Sequence, residues 1–390
     1  MSYNPFCSID ISFGDMQTLK EAAKEKKKKI IVCDAYTADV WGLTDIIEEQ
    51  IEEKNAVWID ECKANPTPAE VVKALEKVGD FEAEGILAIG GGSTIDISKA
   101  VSALCYMDRG TVVTEEDILE NLKSGEYKKP HRFIDITAVP STAGTGSEMT
   151  QFATIWDMKN QAKYSVDTSF NYAKKAYIIP ELTLTLPKRQ TLSTGLDALS
   201  HAVEAYWAKP TTYVVKDVAL RAIDMIMKYL PEVMKNPGDI KLRTAMSRAA
   251  LLSGMAFAKT RTTACHSIGY PITMKYGLEH GFACALTLDA VSKINREKTE
   301  LADDLFEVFD KYGGLRRWID DTCGDIVKLR LKYFGIPKEG IDDIVAGTFT
   351  KGRMDNNPVD ISPEQVKEIL LSIYDEEPEN EVFVKIARAS

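Results

Sequence analysis

The sequence has few histidines, no closely paired cysteines and no long apolar run. Its 7 cysteines are odd in number and scattered, with no Cys-x-x-Cys pair, which argues against a disulfide framework or a thiolate zinc site. A stretch of about 18 apolar residues, as a membrane span requires, does not occur, and the first residues lack a basic segment followed by an apolar core. We therefore expect a protein of the reducing cytoplasm, neither secreted nor inserted in a membrane.

An excess of basic charge is also missing. Lys and Arg number 48 against 59 Asp and Glu, for a net charge of -11, and such a field repels nucleic acids and anionic membranes. The 390 residues, with 45% hydrophobic and 27% charged side chains, have the composition of a folded protein. At roughly 100 to 200 residues per domain, this length predicts two domains.

The first half of the chain alternates short apolar runs with amphipathic stretches. Helical patterns lie between the runs, for example at 68–78 and 95–104. Strictly alternating strands and helices predict a doubly wound parallel sheet with ligand sites at the carboxyl edge of its strands. The four predicted strands are Lys29 to Cys33, Ala56 to Ile59, Gly85 to Ile89 and Phe133 to Val139.

The second half is dominated by long helical patterns, for example at 198–208, 214–229 and 240–258. Runs of β-branched residues become scarce after the segment Pro180 to Pro187. We therefore place a domain boundary near residue 185, with an α/β domain at 1–185 and a helical domain at 186–390.

Two small-residue loops follow predicted strands. Gly90-Gly91-Gly92-Ser93 stands between a strand and a helix, where bare backbone amides and the helix dipole stabilise phosphate. The loop from Pro140 to Glu148 offers hydroxyl groups and amides at the same sheet edge. A single such loop is as often a plain tight turn, but the pair favours a dinucleotide pyrophosphate site.

Three of the 4 histidines fall in the helical half, at His201, His266 and His280. Asp197 precedes His201 by one helical turn, so both side chains share a face. His266 and His280 lie in a stretch broken by glycine and proline that can fold both rings inward. Each histidine alone could be an ordinary core or surface residue, but one carboxylate with three imidazoles suits Fe(II), Zn or Mn.

These motifs, GGGSTIDISKA, PSTAGTGSE, DALSHAVEAY and the segment from His266 to His280, resemble in order and spacing the iron-containing (group III) alcohol dehydrogenase family. The resemblance covers nearly the whole chain. It implies a Rossmann-like, NAD-binding α/β domain and an all-α domain in a dehydroquinate synthase-like architecture, with metal and nicotinamide in the cleft between them. It also implies a homodimer or higher homo-oligomer, Fe(II) first among the metals, and four metal ligands: Asp197, His201, His266 and His280.

The resemblance also assigns the cofactor site. Asp34 follows a strand, where a carboxylate accepts hydrogen bonds from an adenosine ribose but repels a 2′-phosphate, so NAD(H) is favoured over NADP(H). The family's cofactor positions fall here on Asp34, Gly91, Gly92, Ser93, Asp96, Thr142, Thr145 and Lys163.

The sequence departs from the family pattern in two places. Tyr270 stands where members often carry a proton-relay histidine, and its hydroxyl is a poorer base at neutral pH. The Asn-Pro pair that ends at Pro358 resembles one at the end of the family pattern. It places Arg353 at a pocket position that usually holds a small, uncharged residue. The alternative is that Arg353 is an arginine on the protein surface. Of Lys259 and Arg261, two apart on a predicted helix, we expect only one to face the substrate, while Phe257 lines the pocket and Gln151 offers a neutral hydrogen bond.

Basic residues at a pocket of an acidic protein indicate a small aldehyde with an anionic end. The expected reaction is metal-dependent reduction by NADH, first of sulfoacetaldehyde to isethionate or phosphonoacetaldehyde to 2-hydroxyethylphosphonate. The alternatives are succinic semialdehyde reduction to 4-hydroxybutyrate and a general alcohol or diol dehydrogenase. More distant alternatives are a lyase similar to dehydroquinate synthase and an inactive NAD-binding protein, and net NADH consumption separates these from a reductase.

Overall fold

The chain divides into two units, Met1–Leu186 and Pro187–Ser390. The structure, a computed structural model, describes residues 9–106, 113–298, 303–349 and 352–375. The 6 cysteines in these ranges are free thiols, and Cys7 lies outside them. Within these ranges, the helices are too short or too polar to span a membrane.

Six parallel strands form the sheet of the N-terminal unit, in the order β1-β8-β5-β4-β2-β3. The chain runs from β2 outward to β3 and then returns to β4 on the other side of β2, so the sheet has a switch point between β2 and β4. A separate antiparallel hairpin joins β6 to β7. The strands are β1 Asp10–Phe13, β2 Lys29–Val32, β3 Ala56–Ile59, β4 Gly85–Gly90, β5 Ile136–Pro140, β6 Phe152–Asp157, β7 Ala162–Asp167 and β8 Lys175–Ile178.

Helices cover both faces of this sheet. Along β2, Ile30 and Val32 belong to one buried cluster while Ile31 belongs to another, because successive side chains of a strand point to opposite faces. The first cluster includes residues of α4 and α5, and the second includes residues of α1 and α3. The helices are α1 Met16–Lys24, α2 Ala35–Val40, α3 Thr44–Glu52, α4 Pro68–Val78, α5 Gly92–Leu104 and α6 Glu115–Ser124.

Regular structure in the described part of the C-terminal unit consists of α-helices and short 3-10 turns. Three long helices, α7, α8 and α9, pack on one another. The helices are α7 Lys188–Trp207, α8 Tyr213–Lys235, α9 Ile240–Thr260, α10 Ala264–Tyr276, α11 His280–Ala285, α12 Leu288–Lys298, α13 Asp303–Lys311, α14 Leu315–Cys323, α15 Ile341–Thr348 and α16 Pro363–Ser372.

The predicted fold class is confirmed, with local corrections. Strands β1, β6, β7 and β8 are not among the four predicted strands. The fourth predicted strand begins at Ile136 rather than Phe133. The stretch after His266 is not broken by its proline, since α10 continues through Pro271. Helix α15 packs there so closely that a Cβ at Gly347 would lie 3.0 Å from Pro271 Cβ, and this packing offsets the backbone hydrogen bond that the proline cannot make.

Candidate metal centre and cofactor loops

Helix α7 carries the first two predicted metal ligands. Asp197 and His201 are one turn apart and buried, with 3% and 6% of their surfaces exposed. His201 Nδ1 lies 3.9 Å from Asp197 Oδ2. The spacing seen in the sequence therefore places both side chains on one buried face of the helix.

Helices α10 and α11 bring the other two predicted ligands to the same place. The His266 ring stacks on the His201 ring with centroids 4.5 Å apart, and the His280 ring meets it edge-on at 5.2 Å. Ligand atoms of Asp197, His266 and His280, together with Cys284, all lie within 4.8 Å of one another. The structure thus gathers the four predicted side chains into one cluster, in which Asp197, His201 and His266 are buried and His280 is half-buried.

The donor atoms of this cluster fit a divalent metal. Asp197 Oδ1 and His266 Nε2 are buried, lie 3.6 Å apart, and have no hydrogen-bond partner among the described residues. A buried polar atom left in this way costs about 1 to 3 kcal/mol unless something binds it. A cation between two acceptors satisfies both, so the arrangement is that of a metal site.

The electrostatics of Asp197 agree with this interpretation. Burial by itself raises the pKa of a carboxyl group, but the surrounding rings, led by His201, hold the pKa of Asp197 well below its usual range. The side chain is therefore a carboxylate, which is the form that binds metal.

The sequence prediction missed Glu204, which lies on α7 two turns after Asp197 and is fully buried. One of its oxygens pairs with His266 Nδ1, and the other accepts hydrogen bonds from Thr263 Oγ1 and Cys265 N, both at 2.8 Å. Because Nδ1 is bonded to Glu204, the Nε2 atom of His266 faces Asp197. A carboxylate fixing a ligand histidine in this way is typical of metal sites, and its seven-residue spacing from Asp197 was the available signal.

In the N-terminal unit, the two small-residue loops lie side by side at adjacent strand ends. A Cβ at Gly92 would lie 2.8 Å from Thr145 Cγ2, and one at Gly91 would lie 3.4 Å from Thr142 Cγ2, so glycine permits the contact. Helix α5 begins here without a side-chain cap, which leaves its first amides to a ligand. Thr142 Oγ1 is buried without a hydrogen-bond partner among the described residues, as a ligand-facing hydroxyl would be.

The remaining predicted cofactor residues surround these loops. Asp34 follows β2, at the switch point, and caps α2 by accepting from Tyr36 N at 3.1 Å. Ser93 Oγ accepts from the backbone N–H of Asn65 at 3.2 Å. Lys163 lies on β7, with its Nζ 5.6 Å from the Trp156 ring centre.

Asp96 joins the two loops. Its carboxylate accepts from Ser147 Oγ at 2.8 Å and from Thr154 N at 3.0 Å. Both partners lie in or after the Pro140 to Glu148 loop, so these bonds give Asp96 a role in holding that loop against α5.

The predicted substrate residue Phe257 and the predicted proton-relay residue Tyr270 both contact the metal cluster. The Phe257 ring stacks on His201 with centroids 4.0 Å apart. The Tyr270 ring is parallel to His280 at 5.6 Å. In the N-terminal unit, Gln151 Nε2 donates to Asp167 at 2.8 Å.

The basic candidates follow the sequence expectation only in part. Arg353 is 8% exposed, so the alternative of a surface arginine is wrong. Lys259 is in the last turn of α9, but Arg261 lies beyond the helix end with φ at 64°, so the two are not neighbours on one helix. Asn356 Nδ2 donates to Thr260 O at 2.8 Å and Thr262 O at 3.0 Å, which pins the loop of Arg353 beside the end of α9.

Comparisons with known proteins agree with this geometry. Family models described as "Iron-containing alcohol dehydrogenase" and "Fe-containing alcohol dehydrogenase family, C-terminal" match residues 10–180 and 191–374. The NAD-dependent methanol dehydrogenase of Bacillus methanolicus is 34% identical over 69% of this chain and 68% of its own. The phosphonoacetaldehyde reductase of Streptomyces viridochromogenes is 35% identical over 59% of this chain and 58% of its own.

A solved structure extends the likeness to the whole fold. Sulfoacetaldehyde reductase from Bifidobacterium kashiwanohense, in complex with NAD+, superimposes with a TM-score of 0.82 at 27% identity, over 95% of this chain and 98% of that one.

Proposed function

From the premise that the chain belongs to the iron-containing alcohol dehydrogenase family, we propose that it reduces a small anionic aldehyde to its alcohol with NADH. The preferred substrates are sulfoacetaldehyde and phosphonoacetaldehyde. The relatives that reduce these two compounds support this choice.

Asp197, His201, His266 and His280 would hold the metal, Fe(II) first and Zn or Mn as alternatives. When bound, the metal acts as a Lewis acid toward the substrate oxygen. Glu204 keeps Nε2 of His266 directed at Asp197 by holding the opposite ring nitrogen. Phe257, stacked on His201, keeps that ring in place and covers it with an apolar surface.

The N-terminal loops would hold the cofactor, which supplies the hydride. The first amides of α5, the Thr142 hydroxyl and Thr145 would bind the pyrophosphate, with Gly91, Gly92 and Ser93 forming the backbone around it. Asp34 would accept from the ribose hydroxyls. Tyr270, beside His280, would pass the proton that completes the alcohol.

The observation that carries the anionic substrate is the buried position of Arg353. A guanidinium removed from water is stabilised by an anion, and its planar donor pair matches a sulfonate, phosphonate or carboxylate. Its loop is pinned to the carbonyls of Thr260 and Thr262, next to Lys259 and Arg261. If Lys259 or Arg261 turns its side chain toward Arg353, the two cations would suit a three-oxygen head group.

A plain alcohol dehydrogenase is the second candidate, because the methanol dehydrogenase of Bacillus methanolicus is 34% identical to this chain. A lyase or an inactive NAD-binding protein would consume no NADH. The test must therefore separate substrate charge from simple aldehyde reduction.

The experiment is NADH oxidation by the metal-loaded protein with sulfoacetaldehyde, phosphonoacetaldehyde, succinic semialdehyde and propanal. We expect a three-oxygen anionic aldehyde to give the highest kcat/KM. We expect Arg353→Ala to lower kcat/KM for that substrate by about 10- to 100-fold, the equivalent of one charged hydrogen-bonding contact, and to leave propanal reduction within about twofold.

Lys209→Ala is the matched control. Lys209, just after α7, donates through Nζ to Asp355 O at 2.8 Å, so this variant removes a cation that contacts the same loop without removing the guanidinium. Equal losses in the two variants would point to a loosened loop. Propanal as the best substrate, with Arg353→Ala unchanged on all four compounds, would contradict the proposal and leave a plain alcohol dehydrogenase.

A further inference from the structure

The C-terminal unit contains a cavity of about 330 Å³ beyond the metal cluster. It is bounded by the end of α7, the start of α8, and residues of α12 and α13. The described residues that line it include none of the four predicted metal ligands. Trp207, which does line it, follows His201 by six residues, or about 9 Å along the helix. A cavity of this size can hold a small molecule, and it is separate from the metal centre.

Aromatic side chains form much of the cavity wall. Tyr206, Trp207 and Phe306 line it and are 3%, 7% and 8% exposed. The indole N–H of Trp207 donates to Thr263 Oγ1 at 2.8 Å, so the polar atom of this ring already has its partner. The wall therefore offers flat apolar surface, against which a planar ring packs well.

Lys216 introduces a charge into this apolar wall. It lines the cavity and is only 8% exposed. Its ammonium makes no hydrogen bond or ion pair with any residue in the described ranges and lies 5.2 Å from the centre of the Tyr206 ring. Burial lowers the pKa of Lys216, and the carboxylate of Asp304 opposes this shift only in part. Because a buried charge without a paired anion is costly, Lys216 is placed to bind one.

The other charges on the cavity wall are also positive. The described lining residues include three cations, Lys209, Lys216 and Arg296, and no carboxylate, although the whole chain has a net charge of -11. The Arg296 guanidinium lies 4.1 Å from the centre of the Phe306 ring, and Lys209 pairs with Asp360 at 3.5 Å. The cavity is thus a basic place in an acidic protein, which favours an anionic ligand.

Acidic groups nearby limit the charge that this ligand can carry. Burial, together with the carboxylates of Asp303 and Asp304, raises the pKa of Tyr206 to about 12. The same two carboxylates at the start of α13 would repel a dianion more than a monoanion. A single carboxylate attached to a flat apolar body therefore matches the cavity better than a phosphate does.

We propose that this cavity binds a small aromatic monocarboxylate, with its ring against Trp207 and Phe306 and its carboxylate at Lys216. The inference is independent of the proposed reaction, because the described residues that line the cavity include none of the predicted metal ligands or cofactor residues.

The test is isothermal titration calorimetry of the full-length, metal-loaded protein saturated with NADH, with 2-naphthoate and its neutral analogue 2-naphthamide as probes. We expect the wild type to bind the carboxylate at least about tenfold more tightly than the amide, as one charged hydrogen bond provides. Lys216→Met should reduce this preference to within about twofold, and Lys216→Arg should retain most of it.

Two control variants should keep the full preference. Lys228→Met removes an exposed lysine of the same helix, whose Nζ lies 5.0 Å from the centre of the Tyr229 ring. Arg353→Ala removes the cation of the proposed substrate site. Retained preference in both variants would support the cavity as the place where the carboxylate binds.

Three results would overturn the inference. The first is a wild type that binds no 2-naphthoate or binds the two probes equally, and it decides the matter even if Lys216→Met fails to fold. The second is a preference that persists in folded Lys216→Met. The third is a preference that disappears in Arg353→Ala, which would place the anion at the proposed substrate site. None of these results bears on aldehyde reduction, so the proposed function stands or fails separately.

Discussion

The two units present opposite kinds of polar group: the N-terminal unit presents hydrogen-bond donors and the C-terminal unit presents acceptors. The N-terminal loops present hydrogen-bond donors, namely the uncapped amides of α5 and the Thr142 hydroxyl, and donors bind an anion such as pyrophosphate. The C-terminal cluster presents acceptors, among them Asp197 Oδ1 and His266 Nε2, and acceptors bind a cation. One chain thus carries a group of donors and a group of acceptors, each built within its own unit.

Two buried carboxyl groups show the difference. In the N-terminal unit, burial raises the pKa of Glu148 to about 7, although Lys99 opposes the shift. In the C-terminal unit, the histidine rings hold the pKa of Asp197 far below its usual range despite its burial. Burial therefore leaves Glu148 with a raised pKa but not Asp197, whose neighbours are the imidazole rings of the cluster that would bind metal.

The largest expected effect is that of His266→Ala. Loss of this ligand should remove the metal and lower kcat by about 10³-fold, since Lewis-acid stabilisation is worth several kcal/mol. NADH binding, measured by fluorescence titration, should be unchanged because the cofactor loops belong to the other unit. His131→Ala removes the fourth histidine, in the N-terminal unit, and should alter neither. Loss of NADH binding in His266→Ala would show that the two sites are not separate.

Glu204→Gln should have a graded effect. The amide cannot hold His266 Nδ1 as the carboxylate does, so metal affinity should fall about 10- to 100-fold. Competition with a chelator measures this. Glu232→Gln, on α8 beside Lys235, is the exposed control. If the two variants bind the metal with equal affinity, Glu204 does not support the metal ligand His266.

Gly92→Ala should weaken the anion site alone. The added methyl would meet Thr145 Cγ2 at 2.8 Å, and overpacking of about 1 to 3 kcal/mol predicts roughly tenfold or greater weakening of NADH binding. Gly238→Ala adds a methyl that meets no described atom within 4 Å and serves as the control. Unchanged NADH affinity in Gly92→Ala would place the cofactor elsewhere, and a matching loss of metal would break the separation of the units.

The smallest effect concerns Glu148 and pH. Its folded-state pKa, about 7 against 4.5 for the unfolded chain, is raised, so its contribution to stability is present below pH 4.5 and is lost as pH rises through 7. The thermal midpoint of the wild type should therefore fall relative to that of Glu148→Gln between about pH 5 and 8, by about 5 °C. A constant difference across this range would contradict a folded-state pKa near 7 for Glu148.

The sequence predicted correctly those helices and strands whose ends are marked by residues in the element itself. Helix α4 was predicted with its observed ends because Pro68 fits the first turn and Thr67 with Glu70 forms a capping box. Strand β1 was missed since it pairs with β8, more than 160 residues away, and four residues without alternating burial carry little pattern. The Pro271 helix was missed because neighbouring packing, not local propensity, maintains it.

The candidate site also has features that local spacing predicts and features that only the packing of distant elements creates. The spacing of Asp197 and His201 is local, and a helix converts it directly into a shared face. The burial of Arg353 depends on how separate helices and loops pack, which residue spacing does not encode.

The measurement that tests the central claim most directly is NADH oxidation with sulfoacetaldehyde by metal-free protein, before and after addition of one equivalent of Fe(II), with NADH binding followed in parallel. The account predicts that metal-free protein binds NADH without oxidising it, and that one metal per chain restores turnover. Equal turnover without metal, after chelation is verified by metal analysis, would contradict it.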